Sequence, residues 1–295
     1  MGAGLMGSQI GCEYAIGGHD VRFIARDPDL ARQRVENGLS MIRSLGVVNV
    51  DVAVAASSHI SVGTELDGTY DLLVESLPED LELKLRTLLP MVNSCPDAVV
   101  ATNTSSLSIS ALGDGLGAPK RTIGTHYWNP PLLMPLVEVV PGNRTDSAVV
   151  ALITETLRAL GKRPVVVSQD VPGFVWNRLQ LALLREALWI VRAGIASVET
   201  VDEIVRDGLA RRWRHVGPFR MVALGGVATW LRIGSNLLPS LSEETDLQGL
   251  DEFVSFDDES LEETRRLRDQ ALADELKGEA RTTRSDGPQI DNGVG

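Results

Sequence analysis

His126 and Glu138 are the two residues whose type and spacing point most directly to chemistry. His126 closes a strand-like run, Thr122–His126. Glu138 lies inside the next apolar run, Leu136–Val140. A proline-rich stretch, Asn129-Pro-Pro-Leu-Leu-Met134-Pro, separates the two runs. Two adjacent strands joined there would set the imidazole beside the carboxylate. Such a carboxylate fixes the histidine tautomer and stabilises the imidazolium, which makes the histidine a better general base. The alternative for one His in a strand is a hydrogen-bonded core residue. For one Glu among apolar neighbours it is burial against an arginine.

The chain opens Met1-Gly2-Ala3-Gly4-Leu5-Met6-Gly7, the spacing G-x-G-x-x-G. Gly2 allows a tight turn, Gly4 lets the backbone approach a pyrophosphate, and Gly7 allows close helix–strand packing. Leu5 and Met6 begin the helix whose N–H groups would face the phosphate charge. A helical pattern and then a strand follow, as a dinucleotide site requires. Two features depart from the pattern. No strand precedes Gly2, so the first strand of the expected sheet is missing: the chain is a fragment, its start is set too late, or the sheet has an unfilled central slot, with the first two favoured. The acid that commonly binds the ribose of NAD is replaced by Ala25, followed by Arg26. Arg26 reads either as a 2′-phosphate contact, which would favour NADP, or as a solvated or adenine-stacking residue compatible with NAD.

Residues 1–168 alternate strand and helix patterns. The strands are expected at Val21–Ala25, Asp71–Glu75, Ala98–Thr102, Thr122–His126, Leu136–Val140 and Pro164–Val167. Helices are expected at Pro28–Leu45, Leu81–Val92 and Ser147–Leu160. This alternation predicts an α/β fold, a Rossmann-type doubly wound sheet with parallel strands. Asp170-Val-Pro-Gly-Phe174 reads as a hinge. Residues 169–242, led by a long helical pattern from Val175 to Gly194, read as a smaller all-α domain. Residues 243–295 hold 16 Asp/Glu against 6 Lys/Arg, a net of −10 out of −12 for the chain. They read as a solubilising acidic tail with one short helix around Leu261–Leu276 and fifteen disordered residues at the end.

Composition narrows the classes further. Only four lysines accompany 24 arginines, and no basic track for nucleic acid is visible. No apolar run reaches the roughly 18 residues of a membrane span. Cys12 and Cys95 are too few for a disulfide scaffold or a cysteine zinc site, and no other metal-ligand cluster stands out, so a reduced, cytoplasmic setting is the expectation.

Five segments, in this order and spacing, resemble the L-3-hydroxyacyl-CoA dehydrogenase superfamily and its lambda-crystallin, L-gulonate and carnitine dehydrogenase relatives. They are the Gly2–Gly7 loop; Val74-Glu75-Ser-Leu-Pro-Glu79-Asp80; Thr102-Asn103-Thr-Ser105-Ser106-Leu; the His126–Glu138 stretch; and Asp170-Val-Pro-Gly-Phe-Val-Trp-Asn177-Arg178. The resemblance implies hydride transfer between a carbinol carbon and a nicotinamide cofactor. His126 would take the hydroxyl proton, and Glu138 would orient it. Ser105 and Asn177 match positions that hold the substrate oxygen and the site. Glu79 matches an acid near the nicotinamide ribose, and Asn103 belongs to the same cofactor-side group. A small-molecule substrate and a homodimer formed through the second domain are further implications. Read singly, Asn103–Ser105 close a turn, Glu75 and Glu79 end a strand, and Asn177 starts a helix.

Some residues depart from the family pattern. Tyr127-Trp128 replaces the usual phenylalanine-rich segment, and a Pro-Pro pair follows Asn129. That variant is more similar to relatives acting on small hydroxy acids and alcohols. After Gly217-Pro218-Phe219, Arg220 and Ala223 stand where acids are usual, with Arg211, Arg212 and Arg214 just upstream. They read either as surface arginines or as partners for a substrate carboxylate. A non-catalytic, dinucleotide-binding relative is the competing reading.

Overall fold

The computed structural model describes residues 1–254 and 256–285. Two compact units emerge, Met1–Phe174 joined by the chain from Glu259 onward, and Val175–Asp258.

In the first unit, strand and helix alternate: α1 Leu5–Ile16, β1 Val21–Ile24, α2 Pro28–Ser44, α3 Val50–Ser58, β2 Ile60–Gly63, β3 Leu72–Glu75, α4 Leu81–Ser94, β4 Val99–Thr102, α5 Ile109–Gly115, β5 Thr122–Tyr127, β6 Leu136–Pro141, α6 Ser147–Ala159 and β7 Arg163–Val166. The expected strands and long helices are all present, with ends shifted by one or two residues. Side-chain caps explain several starts. Asp27, Asn49, Asp80 and Ser108 each accept the N–H three residues ahead, at Leu30, Val52, Leu83 and Ala111. Each cap satisfies one otherwise unpaired helix donor.

The strands form two sheets, β1-β2 and β3-β4-β5-β6-β7. All pairings are parallel except β5 with β6, which is antiparallel. That one pairing departs from the parallel strands expected. The physical reason is the short connection from Tyr127 to Leu136, which suits antiparallel neighbours, whereas a parallel crossover needs a dozen or more residues. Between the two sheets the chain start takes the place of a strand. Met1 N donates to Val74 O at 2.7 Å and Ser76 N donates to Met1 O at 2.9 Å, which is one parallel bridge. On the other side Gly2 N donates to Ile24 O at 3.4 Å. Alongside lies a cavity of about 530 Å³, lined by Ile10, Phe23, Tyr70, Leu72, Val74 and Val99 among others. The fold class is the α/β one expected, with its sheet divided where the first strand would run.

Apolar clusters fill both faces. Ile42, Leu39, Phe23 and Cys12 pack on one side, and Leu88, Val100 and Leu112 pack under α4 and α5. Ile123, Val137, Val139 and Leu157 pack under α6.

The second unit is helical: α7 Trp176–Arg192; α8 Val198–Glu203, which runs through a wider-wound segment, Ile204–Ala210, into α9 Arg211–Trp213; then α10 Pro218–Gly225 and α11 Val227–Leu237. The break between units falls between Phe174 and Val175, a few residues past the expected boundary at 168.

The expected acidic tail is corrected. From Glu259 the chain rejoins the first unit as most of a long helix, α12 Asp258–Ser285. Ala273 is fully buried there, and Leu272 and Leu276 pack against the Ile42 cluster. Lys277 Nζ donates to Leu45 O at 3.1 Å. The acidic composition masked a narrow apolar stripe, at 272, 273 and 276, with helical spacing. Of the fifteen residues expected to be disordered, the last ten lie outside the described residues.

Candidate active site

The antiparallel pairing of β5 with β6 sets His126 directly opposite Glu138. Glu138 Oε2 lies 2.7 Å from His126 Nδ1, and both side chains are buried. An ionised carboxylate only accepts hydrogen bonds, so Nδ1 carries the proton and Nε2 presents its lone pair. Ser105 Oγ lies 3.1 Å from that Nε2 and is the donor in this tautomer. One imidazole thus joins a carboxylate behind it and a hydroxyl in front, the arrangement of an oriented general base.

One ring contact meets the imidazole, and two anchors hold the neighbouring segments. The Phe174 ring meets it edge-on, with centroids 5.6 Å apart. Phe174 is buried with Ile109, Val140 and Val167, and its backbone is left-handed, φ 47°. A bulky residue held there is unusual and costs on the order of 1–3 kcal/mol. Asp170 anchors the same segment, accepting from Ser108 Oγ at 2.7 Å and Ser110 N at 2.8 Å. Burial alone would raise the Asp170 carboxyl, but these hydrogen bonds outweigh it and hold the group below its ordinary range. Lys162, buried beneath the 130–134 turn, donates to Pro131 O at 2.7 Å and Met134 O at 3.1 Å and pairs with Glu13 at 2.8 Å.

The remaining candidates fall into place around this core. Asn103 Oδ1 accepts from Tyr127 N at 2.8 Å, tying the end of β4 to the end of β5. Glu79 reaches the Thr104–Ser106 turn through several hydrogen bonds. Asn177 is the second residue of α7, in the other unit. Phe174 and Lys84 were not singled out as site residues in the sequence. Lys84 carried a signal, because it shares one helical stripe with buried Leu88, Met91 and Val92. A lysine at such a position must bring an anion inside with it.

The glycine loop fits a dinucleotide. Gly2 has φ 88°, and a Cβ there would come within 2.5 Å of Ser76 O. A Cβ on Gly7 would come within 1.9 Å of Gly2 O. At Gly4 no atom lies within 4 Å of the Cβ position, so the loop is open there. No side chain caps α1, and its first turn holds no acid, leaving its leading N–H groups suited to an anion. Arg34 Nη1 braces the loop by donating to Ala3 O at 3.1 Å. Ala25 directly follows β1, and Arg26 is exposed just beyond it. Among the described residues no group of three or more His, Cys, Asp or Glu is placed to hold a metal ion. No single helix among them is long and apolar enough to cross a bilayer.

A dinucleotide loop, a strand-paired His–Glu couple and a following helical unit define a nicotinamide-dependent dehydrogenase. Residues 1–171 match the 3-hydroxyacyl-CoA dehydrogenase NAD binding domain, and residues 173–257 match the C-terminal domain of the same family. The chain therefore belongs to the 3-hydroxyacyl-CoA dehydrogenase family: it is an NAD-dependent oxidoreductase acting on CH–OH donors. It is 32% identical over 254 residues to a 5-formyl-3-hydroxy-2-methylpyridine 4-carboxylate 5-dehydrogenase of Mesorhizobium japonicum, covering 84% of this chain and 81% of that one. It is 34% identical over 234 residues to an L-carnitine dehydrogenase of Streptomyces coelicolor, covering 77% and 72%. A crystal structure of the former kind of enzyme, described as an NAD+ dependent dismutase, superposes with TM-score 0.84 at 27% identity, covering 94% of this chain and 97% of that one.

Proposed function

We propose that this enzyme interconverts a small hydroxy acid or alcohol and its carbonyl form, with His126 as the proton-transfer residue. The observation that carries the reading is the Glu138–His126–Ser105 line, with contacts of 2.7 and 3.1 Å. In the oxidation direction the substrate hydroxyl sits between Ser105 Oγ and His126 Nε2. Nε2 takes the hydroxyl proton, and Glu138 balances the charge formed on the ring. Ser105 Oγ holds the substrate oxygen; the resemblance implies a substrate-holding role for Asn177 as well. The Gly2, Gly4, Leu5, Met6 and Gly7 backbone would hold the pyrophosphate, and the resemblance implies that Ala25 and Arg26 would lie toward the adenosine ribose and Asn103 and Glu79 toward the nicotinamide. Bound NAD would supply the acceptor for the hydride leaving the carbinol carbon.

A small substrate is favoured over an acyl-CoA by Tyr127-Trp128 and Pro130-Pro131 after the histidine. The pyridine carboxylate and carnitine enzymes among the relatives support the same reading. We read the exposed apolar residues Phe219, Leu224, Leu231 and Leu238 of the second unit as the dimer face that the resemblance implies. The free, buried Cys12 and Cys95 suit a reduced, cytoplasmic setting; burial pushes the Cys12 thiol up to about 12.

The test follows NADH absorbance with L-carnitine, 5-formyl-3-hydroxy-2-methylpyridine 4-carboxylate and 3-hydroxybutyryl-CoA. Turnover is expected to be higher with one of the first two. His126→Gln should lower kcat on the order of 10²–10⁴-fold while NADH binding stays within about twofold. Unchanged turnover in His126→Gln would remove this assignment, and preference for the CoA ester would remove the substrate class.

A further inference from the structure

The turn that carries Ser105 is built around one carboxylate oxygen. Glu79 Oε1 accepts from Thr104 Oγ1 at 2.5 Å, Ser105 N at 2.9 Å, Ser106 N at 2.7 Å and Ser106 Oγ at 2.9 Å. Two successive backbone N–H groups and two hydroxyls converge on it, an anion nest. Ser105, at the centre of that nest, is the residue whose hydroxyl touches His126 Nε2.

Behind Glu79 stands a buried cation. Lys84 Nζ lies 3.5 Å from Glu79 Oε2 and 2.6 Å from Glu75 Oε1, and it donates to Leu77 O at 3.1 Å. Glu75 is itself fully buried; its other oxygen accepts from Thr102 Oγ1 at 2.6 Å at the end of β4. The line Thr102–Glu75–Lys84–Glu79–Ser105–His126 therefore runs unbroken from the ends of β3 and β4, through α4, to the reacting imidazole. Burial by itself would raise the Glu79 carboxyl. The hydrogen bonds from Thr104 and Ser106 and the Lys84 charge outweigh it and hold the group below its ordinary range.

We propose that Glu79 is the positioning residue of this site: through Oε1 it sets where Ser105 Oγ sits against His126 Nε2, and Lys84 fixes Glu79 in turn. This rests on the reading of His126 and Ser105 as the reacting pair. It gives Glu79 a task in the cofactor-free protein, separate from the ribose contact that the resemblance implies. Removing the charge weakens all four hydrogen bonds at Oε1 and the hold of Lys84 on the carboxylate, so the turn relaxes and Ser105 Oγ moves from the imidazole. A displacement near 1 Å at a reacting group costs on the order of 100-fold in rate.

The experiment is a double-mutant cycle on the cofactor-free protein, with Glu79→Gln, Ser105→Ala and the pair, read by the ¹⁵N resonance of His126 Nε2. Working without cofactor removes any ribose contact from the result. Ser105→Ala should move the resonance, Glu79→Gln should move it in the same direction, and the double variant should move it no further than Ser105→Ala. Turnover should follow the same order, with Glu79→Gln costing about 100-fold in kcat in the wild-type background and about nothing in Ser105→Ala. Should Glu79→Gln fail to fold, Glu79→Asp keeps the charge, sets it one methylene short, and should show the same displacement in smaller measure. A His126 resonance that moves in Ser105→Ala but stays at the wild-type position in the Glu79 variants overturns the proposal alone. One that moves in neither shows that Ser105 does not touch His126, and overturns the underlying site as well.

Discussion

Glu138 determines which nitrogen of His126 faces the substrate. Its carboxylate, 2.7 Å from Nδ1, keeps that proton in place and leaves Nε2 ready to accept. In Glu138→Gln the amide can turn its NH₂ toward Nδ1, which would put the ring proton on Nε2 and close the accepting site. The expected result is a fall in kcat/KM of about 10²–10⁴-fold with NADH affinity unchanged; turnover within a few-fold of wild type would contradict it. This pair was legible in the sequence because strand pairing needs only two apolar runs and a short connection. Phe174 was not: it was read as part of a hinge, and nothing in Asp-Val-Pro-Gly-Phe says that the ring turns inward onto an imidazole. Its left-handed backbone follows from the turn, and its burial among Ile109, Val140 and Val167 holds it there. Glu79 was legible as a candidate but with a different partner, since the convergence of four donors on one oxygen is made by the fold.

The elements that matter most to the site are β5 and β6, because their register places His126 opposite Glu138. Lys162 secures the loop between them from below, tying Pro131 and Met134 to Glu13 on α1. Burial raises the Glu13 carboxyl and the Lys162 charge opposes that rise, so each ion needs the other. Lys162→Met would strand Glu13 without its cation and free two carbonyls. Breaking a buried pair costs about 3–5 kcal/mol, and urea unfolding should show a loss of that size; a loss below about 1 kcal/mol would mean the pair does not hold the turn. Other elements carried no assignment in the sequence. Val50, Val52 and Val54 alternate as in a strand, yet Asn49 caps a helix there and Ala53 and Ala56 face the core. The four-residue strand β2 and the seven-residue α5 are too short to carry a clear period.

At the scale of the whole first unit, the sheet is divided between β1 and β3. Both strands flank the Met1–Gly2 segment and the cavity beside it, so their facing edges are paired only at its end. Phe23, Leu72 and Val74 line that cavity. Five alternating Val and Ile residues linked ahead of Met1 would continue the parallel bridge between the edges of β1 and β3 and cover those three side chains. Burying apolar surface and pairing two open strand edges both favour the folded state. A chain carrying that segment should melt higher than residues 1–295 alone by roughly 5 °C, read by differential scanning calorimetry. No gain would show that the cavity between β1 and β3 does not accept a strand.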